Sequence, residues 1–421
     1  MQQVHVIGAG LAGLSAALSL TASGRSVIVH EAARVAGGRC RSYVDRELEL
    51  RIDNGNHLLL SGNRAAKAYI AEIGAEDAFR VAKRAMFPFV DALTNERWVV
   101  RPNNGRFPWW ILRSNRRVPD TRLSDYWGIS RLARVRDDRP VADSVRRGRL
   151  YWRLLEPLAK AALNTSAQEG LARLLGAVMR ETLLRGGTAC LPMLPKVGLS
   201  EALIDPAIAT LQARGAEIRF NSRIFELTLR AGRVTSLRGP DGPIPVGAGD
   251  AVVLAAPAWV AADLLPGLTA PDAFEAILNI HFLHTAKPAG PIEEAGFVGV
   301  TSATAEWVFL KPGHISVTIS AANNMVDDPA RVIASQVWPN VVDALGLPPK
   351  LKESLPPFRV VKERRATFAA TAQQEQLRPQ ARTDLAANVA LAGDWTATGL
   401  PATIEGAIRS GRSAADVILS L

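Results

Sequence analysis

The chain has 421 residues, is 48% hydrophobic and carries 50 basic against 40 acidic residues, a net charge of +10. It is too long for one ordinary core and too apolar for a disordered chain, so a folded protein of two domains is expected. Its two cysteines, Cys40 and Cys190, lie in unrelated contexts, which excludes a disulfide framework and a cysteine metal cluster. No metal site is expected, and the cysteine usage fits a reducing compartment. No apolar run reaches the roughly 18–20 residues of a membrane span. The longest, AVVLAAPAWVAADLL, is broken by Pro257 and Asp263. A first strand near Val4 leaves no room for a signal or transit peptide, and a cytoplasmic location is expected.

The chain opens VHVIGAGLAGLSAALSLTASGRSVIVHE. Val4, Val6 and Ile7 form a short apolar strand, and Gly8, Gly10 and Gly13 follow as G-x-G-x-x-G. Leu11, Leu14 and Leu18 then recur at helical spacing, and Gly24 sits where a helix would stop. A second strand, Ser26 to His30, ends on Glu31. This is a complete βαβ start: Gly8 for the tight turn, Gly10 for close approach of backbone to a pyrophosphate, Gly13 for packing of helix on strand. Glu31 is placed to accept ribose hydroxyls and disfavours a 2′-phosphate. NAD and FAD share this fingerprint. Next come EAARVAGGRCRS, with Arg34, Gly38 and Arg39, and DNGNHLLL, with Asp53, Asn56 and His57.

Residues 101–150 hold 13 Arg and 5 Asp, with Trp109, Trp110 and Trp127 among them. YWRLLEPLAKAALNTSAQEGLARLLGAVMRETLL reads as helical. GAEIRFNSRIFELTLRAGRVTSL, 215–237, alternates like strands, and GDAVVLAAPAW reads as a buried strand ending at Pro257. GFVGVTSATAEWVFL and HISVTISA read as further strands, with a helix near 329–346. Near the C-terminus ALAGDW turns at Gly393 and places Asp394 after a strand end. Thr403 is a helix N-cap behind Pro401, and Gly406 and Gly411 suit close helix packing.

G-x-G-x-x-G, an acid, G-G-R and a D-x-G-x-H variant in this order resemble the flavin-containing amine oxidase and phytoene desaturase superfamily. The resemblance implies non-covalently bound FAD. It implies that Gly38 and Arg39 line the diphosphate and that Asn56 and His57 pass near the isoalloxazine ring. It further implies that Ile224 holds the adenine edge through its backbone and that Asp394 contacts the ribityl chain. The helix N-terminus at Thr403 and Ile404 would face flavin N1 and O2, where a positive dipole end favours the anionic reduced ring. The expected fold is α/β: a Rossmann-type, glutathione-reductase-like FAD domain, discontinuous over 1–75, 205–265 and 385–421. A mixed-sheet and helical substrate domain is expected over 76–204 and 266–384.

RPNNGRFPWWILRSNRRVP, LLEPLAKAALNT and LPMLPKVGLSEALIDPA resemble the squalene-associated desaturases, or hydroxysqualene dehydroxylases, of hopanoid synthesis over most of the chain. That resemblance implies reductive loss of the hydroxyl of hydroxysqualene with reduced FAD, and a long isoprenoid substrate. His57 is the candidate proton donor to the departing hydroxyl. Phe107, Trp109, Trp110, Ile111 and Leu112 between flanking arginines match a monotopic pattern, so 101–150 is the candidate contact with an anionic membrane at the inner face of the cytoplasmic membrane. No recognition-helix motif supports nucleic-acid binding. No second dinucleotide site is visible, which leaves the electron donor unidentified. Competing readings are phytoene or carotenoid desaturation, amine oxidation (disfavoured because the C-terminal loop offers Trp395 and no Tyr) and a non-catalytic prenyl-binding escort on the same fold.

Overall fold

A computed structural model describes residues 2–421. Five short apolar strands form one parallel sheet in the order Glu217–Arg219, Ser26–His30, Gln3–Ile7, Ala251–Leu254, Val389–Leu391. The central three are near-continuous Val, Ile and Leu because both faces are covered, one by helices and the other by the antiparallel strands Glu226–Arg230 and Arg233–Gly239, so no polar alternation is needed. The chain runs from the first strand to Ser26–His30 and Glu217–Arg219 on one side of it, then crosses back to Ala251–Leu254 and Val389–Leu391 on the other. The glycine turn therefore sits at the topological switch point, beyond the carboxyl ends of the strands. The first helix, Leu11–Ala22, is apolar on nearly all sides. It is wedged between the last helix, Ile404–Leu419, and helix Asp205–Ala213.

The core around this sheet reaches further than expected. It takes in Phe79 on one side and Met193, Leu199, Leu203 and Ile204 on the other. The small sheet that pairs Leu59–Leu60 and Phe79–Val81 with Pro192–Pro195 causes this. By packing, the unit passes residue 75 and resumes before 205.

The second unit is a seven-stranded sheet in the order Phe358–Phe368, Phe274–Phe282, His314–Ile319, Trp307–Lys311, Phe297–Thr301, Phe87–Asp91, Arg97–Val100. Neighbours are antiparallel except Phe297–Thr301 beside Phe87–Asp91. Both faces are buried, each by different residues of the same strands. Val90, Val298, Val308 and Val317 pack with helix Ala330–Leu345 through Ile333, Val337 and Trp338. Phe89, Phe297, Trp307 and Phe309 join a second core with Tyr151, Leu154, Leu174 and Leu175.

Helix Glu156–Leu163 is tied to this sheet by its end. Asn164 takes the left-handed conformation there (φ 48°). Its amide donates to Glu275 O and Thr367 Oγ1 and accepts from the N–H of Ala321. Thr165 Oγ1 accepts from the N–H of Ala370, and Lys160 pairs with half-buried Glu306. The segment EPLAKAALNT is thus a clamp between helices and sheet.

In the arginine-rich stretch Trp110 is buried and Ile111 half-buried, whereas Phe107, Trp109 and Leu112 are exposed. This corrects the expectation that Trp110 and Ile111 belong to an outward apolar cluster. The short turn Trp109–Leu112 sends alternate residues to opposite sides, and Trp110 packs edge-on against Tyr126. Among the described residues no helix is long and apolar enough to cross a membrane.

Candidate active site at the sheet switch point

The three fingerprint glycines do different work. A Cβ on Gly8, which has φ +109°, would lie 2.6 Å from Ala255 O, and one on Gly13 would lie 1.9 Å from Gly8 O. These two are required by backbone packing. A Cβ on Gly10 would meet no protein atom within 4 Å, and its φ of −76° suits any residue. Gly10 instead borders open space shared with the second glycine pair: it bridges to Gly37, and a Cβ on Gly38 would lie 3.7 Å from Gly10 Cα. The N–H groups of Leu11 and Ala12 open the helix with no protein acceptor among the described residues. A space kept free of Cβ, ringed by unsatisfied N–H groups at a helix start, suits a diphosphate.

Glu31 braces this turn. Its carboxylate oxygens accept from the N–H groups of Ala9 and Ala33, each at 2.8 Å, with lone pairs left for a ribose. The backbone of 31–33 also bonds Asn221 and Ser222, which brings buried Ile224 to the same edge. Arg34 is exposed and makes no side-chain bond among the described residues.

Two site residues distant in sequence meet directly. Arg39 Nη2 donates to Asp394 Oδ1 at 2.7 Å, and Arg39 also bonds Ala366 O. Burial alone would lower the pKa of Arg39, but Asp394 outweighs it and raises the value, so the guanidinium stays charged. Sequence reasoning missed what holds Asp394. Arg378, with a fully buried side chain, donates to Asp394 O and Thr396 O and pairs with Glu375 at 2.7 Å. Gly393 N–H donates to Ser410 Oγ at 2.8 Å, and Trp395 is core, donating Nε1–H to Ala256 O.

Thr403 caps the last helix, accepting from Gly406 N–H at 3.0 Å. The N–H groups of Ile404 and Glu405 stay without protein acceptors among the described residues, a ready partner for an electron-rich ring edge. The Glu405 carboxylate is structural. It caps helix Arg64–Glu72 through the N–H groups of Ala65 and Ala66 and pairs with Arg409.

Opposite these elements, the loop Asn54–His57 lies against the seven-stranded sheet. Asp53 ends its strand in a buried pair with Lys311 (3.0 Å) and accepts from Ser42 Oγ and Leu199 N–H. Burial would raise the Asp53 pKa; Lys311 and these hydrogen bonds reverse that and lower it. Asn56 donates to Ser316 Oγ (2.7 Å) and Thr318 Oγ1 (3.0 Å), and Asn279 bonds Thr318, Asn54 O and Asn56 N–H. Ser316 in turn contacts His281 Nδ1 at 3.1 Å. Three buried atoms of this network have no partner: Asn56 Oδ1, His281 Nε2 and His314 Nε2.

His57 makes no hydrogen bond to protein among the described residues. Burial lowers its pKa to about 4; Asp53 opposes this, while Lys311 and Arg39 add to it. The ring is therefore neutral near pH 7 and offers an N–H, not a stock of imidazolium. That alters the proton-donor role expected for it. Asn279, Ser316, Thr318 and Lys311 come from strands some 220–260 residues beyond the loop, and only the sheet register shows that they face it.

The model of the family described as flavin containing amine oxidoreductase matches residues 11–419. A hydroxysqualene dehydroxylase of Rhodopseudomonas palustris is 46% identical over 99% of this chain and 98% of its own. One from Zymomonas mobilis is 43% identical over 100% of both chains. Among solved structures, cyclohexylamine oxidase from Brevibacterium oxydans superposes with a TM-score of 0.70 at 14% identity, covering 100% of this chain and 99% of that one, a likeness of fold alone. The open diphosphate space, the acid beside it and the free N–H groups of the last helix agree with FAD as the cofactor. The chain belongs to the flavin-containing amine oxidoreductase family, as an FAD-dependent oxidoreductase of its hydroxysqualene dehydroxylase branch.

Proposed function

We propose that the protein replaces the hydroxyl of hydroxysqualene by hydrogen, giving squalene. The observation that carries this reading is the identity of 43–46% with dehydroxylases of that name over essentially whole chains. The reaction balances as R–OH plus hydride plus proton giving R–H plus water: a C–O bond breaks, a C–H bond forms, and the substrate carbon is reduced. Bound FAD, once reduced by a donor, supplies the hydride.

The chain's own residues have three tasks. Gly10, Gly38, the Arg39–Asp394 pair and the start of the last helix hold and orient the cofactor. The hydrogen bonds around Asp53–Lys311 and Asn56–Ser316 pin the Asn54–His57 loop, so that the unpartnered His57 side chain points at a fixed place. His57, neutral, donates an N–H hydrogen bond to the departing oxygen, while solvent furnishes the proton that completes water. Burial keeps the imidazole uncharged beside a carbon that becomes cationic, where an imidazolium would repel the developing charge. A substrate this apolar reaches the site from a lipid phase, and the basic, tryptophan-bearing segment 101–150 is its point of contact.

The test is anaerobic turnover of detergent-dispersed hydroxysqualene by the chemically reduced holoenzyme, with squalene quantified. His57→Gln, with its weaker, misplaced donor, should lose on the order of 10²-fold in kcat and keep its FAD. A wild-type protein that is yellow as purified, bleaches on reduction and still forms no squalene would refute the reading.

A further inference from the structure

We propose that the cleft lined by Arg84, Arg101, Arg113 and Arg116 receives the phosphate of an anionic phospholipid and so seats the Phe107–Leu112 turn in the headgroup layer; the inference deepens, and rests on, the reading that the substrate arrives from a bilayer. The cleft has a volume of about 390 Å³, and its other lining groups include Asn103, Asn104 and Asn115; no carboxylate lines it. Residues 101–117 contain five arginines and no acid. The acid that approaches, Glu294, is already taken up by Arg84 in a two-point pair at 2.8 and 2.7 Å. Arg101 Nε is buried and has no partner, and Arg113 and Arg116 make no ion pair among the described residues. A desolvated, unpaired guanidinium nitrogen is costly unless an anion satisfies it.

The apolar residues beside the cleft are held outward by design of the loop. Asn103 accepts from Trp110 N–H and donates to Gly105 O and Phe107 O. Arg101 N–H bonds Arg116 O, and Gly187 N–H bonds Asn103 O from beneath. With Trp110 sunk in the core, Phe107, Trp109 and Leu112 stand 62%, 59% and 55% exposed, and the Phe107 and Trp109 rings touch at 4.4 Å between centroids. Three large apolar side chains kept rigidly in water, contiguous with an acid-free arginine cleft, complement an anionic membrane surface: phosphate for the cleft, acyl boundary for the turn. A site for soluble phosphate has no use for the exposed turn.

The experiment is flotation of the FAD-loaded protein with vesicles of phosphatidylcholine alone and of phosphatidylcholine mixed with phosphatidylglycerol. Binding is expected to the mixed vesicles and should weaken with added salt. Arg113→Gln with Arg116→Gln should lower partition by roughly twenty-fivefold, at about fivefold per lost charge near the surface. Phe107→Ser with Trp109→Ser, which leaves the charges intact, should lower it as well. Equal binding of wild type to both vesicle types, or partition unchanged in both variants, would overturn the proposal. So would release from vesicles by inorganic phosphate at constant ionic strength, which would mark a small-anion site. Each variant is scored as FAD-loaded protein, and turnover of detergent-dispersed substrate reports on the catalytic reading separately.

Discussion

Replacing each of two fingerprint glycines by alanine separates a glycine that serves the fold from one that serves a ligand. In Gly13→Ala the new Cβ would lie 1.9 Å from Gly8 O and 3.1 Å from Gly8 C. These are backbone atoms of the turn, so the helix has to withdraw by roughly 1 Å or more, and overpacking of this kind costs about 1–3 kcal/mol. In Gly10→Ala the Cβ meets nothing within 4 Å, and φ of −76° is ordinary. Two small effects oppose each other there: less unfolded-state freedom, and a poorer residue at the N-cap. The apoprotein should change by no more than about 0.5 kcal/mol. FAD is different, because the methyl takes the space expected for its diphosphate. Losing one charge-assisted hydrogen bond there is worth about 1.5–3 kcal/mol, or about ten- to a hundredfold in Kd. The assay is a urea midpoint on each apoprotein and an FAD titration by flavin fluorescence. Gly10→Ala with wild-type FAD affinity, or with a destabilised apoprotein, would refute the assignment of that space.

Three further outcomes are expected. His30 and His281 are buried and held neutral, with pKa values lowered by burial to about 4 and about 3. Between pH 6.5 and about 4 the unfolded chain binds protons that the folded one refuses, so stability falls as pH falls, on the order of 3 kcal/mol for one such ring. Denaturation midpoints measured from pH 7 down to 4 should show this, and His281→Asn should flatten the slope. Lys311→Met strands the Asp53 carboxylate in the interior and should cost about 3–5 kcal/mol, whereas Lys311→Met with Asp53→Asn should recover most of it; a double-mutant cycle with no coupling would contradict the buried pair. Thr403→Ala removes the cap bond to Gly406 and should cost about 1 kcal/mol in the urea midpoint.

The parts legible in the sequence are those whose meaning is local. The turn at Gly8–Gly13, the acid 18 residues on and the cap at Thr403 each follow from backbone geometry within a few residues, and the two ends of the chain announce them. Trp109 and Trp110 show where local reading stops. They are neighbours with the same chemistry, one exposed and one core, and a single 3₁₀ turn has no periodicity to tell them apart. The polar network behind His57 is harder still. Asn56 meets Ser316 and Thr318 only because His314–Ile319 lies beside Phe274–Phe282 in a fixed register, which no spacing within the chain encodes.

The last thirty residues are tied to the start of the chain at individual atoms. Asp394 reaches Arg39 across 355 positions, Glu405 caps a helix 340 positions earlier, and Ser15 Oγ bonds Ile408 O. A Cβ on Gly411 would lie 2.2 Å from Ala12 O, so the last helix rests backbone to backbone on the helix that opens the fingerprint. Each tie is a short polar or steric contact rather than broad apolar burial. Contacts of this kind are intolerant of small displacements, whereas an apolar face can repack. A cofactor bound at the N-terminal ends of both helices would need their relative placement fixed to a fraction of an ångström. The chain meets that need by spending its least substitutable residues, glycine, aspartate and buried glutamate, at its two ends. The segments inserted between them build the seven-stranded sheet and the helices on its two faces.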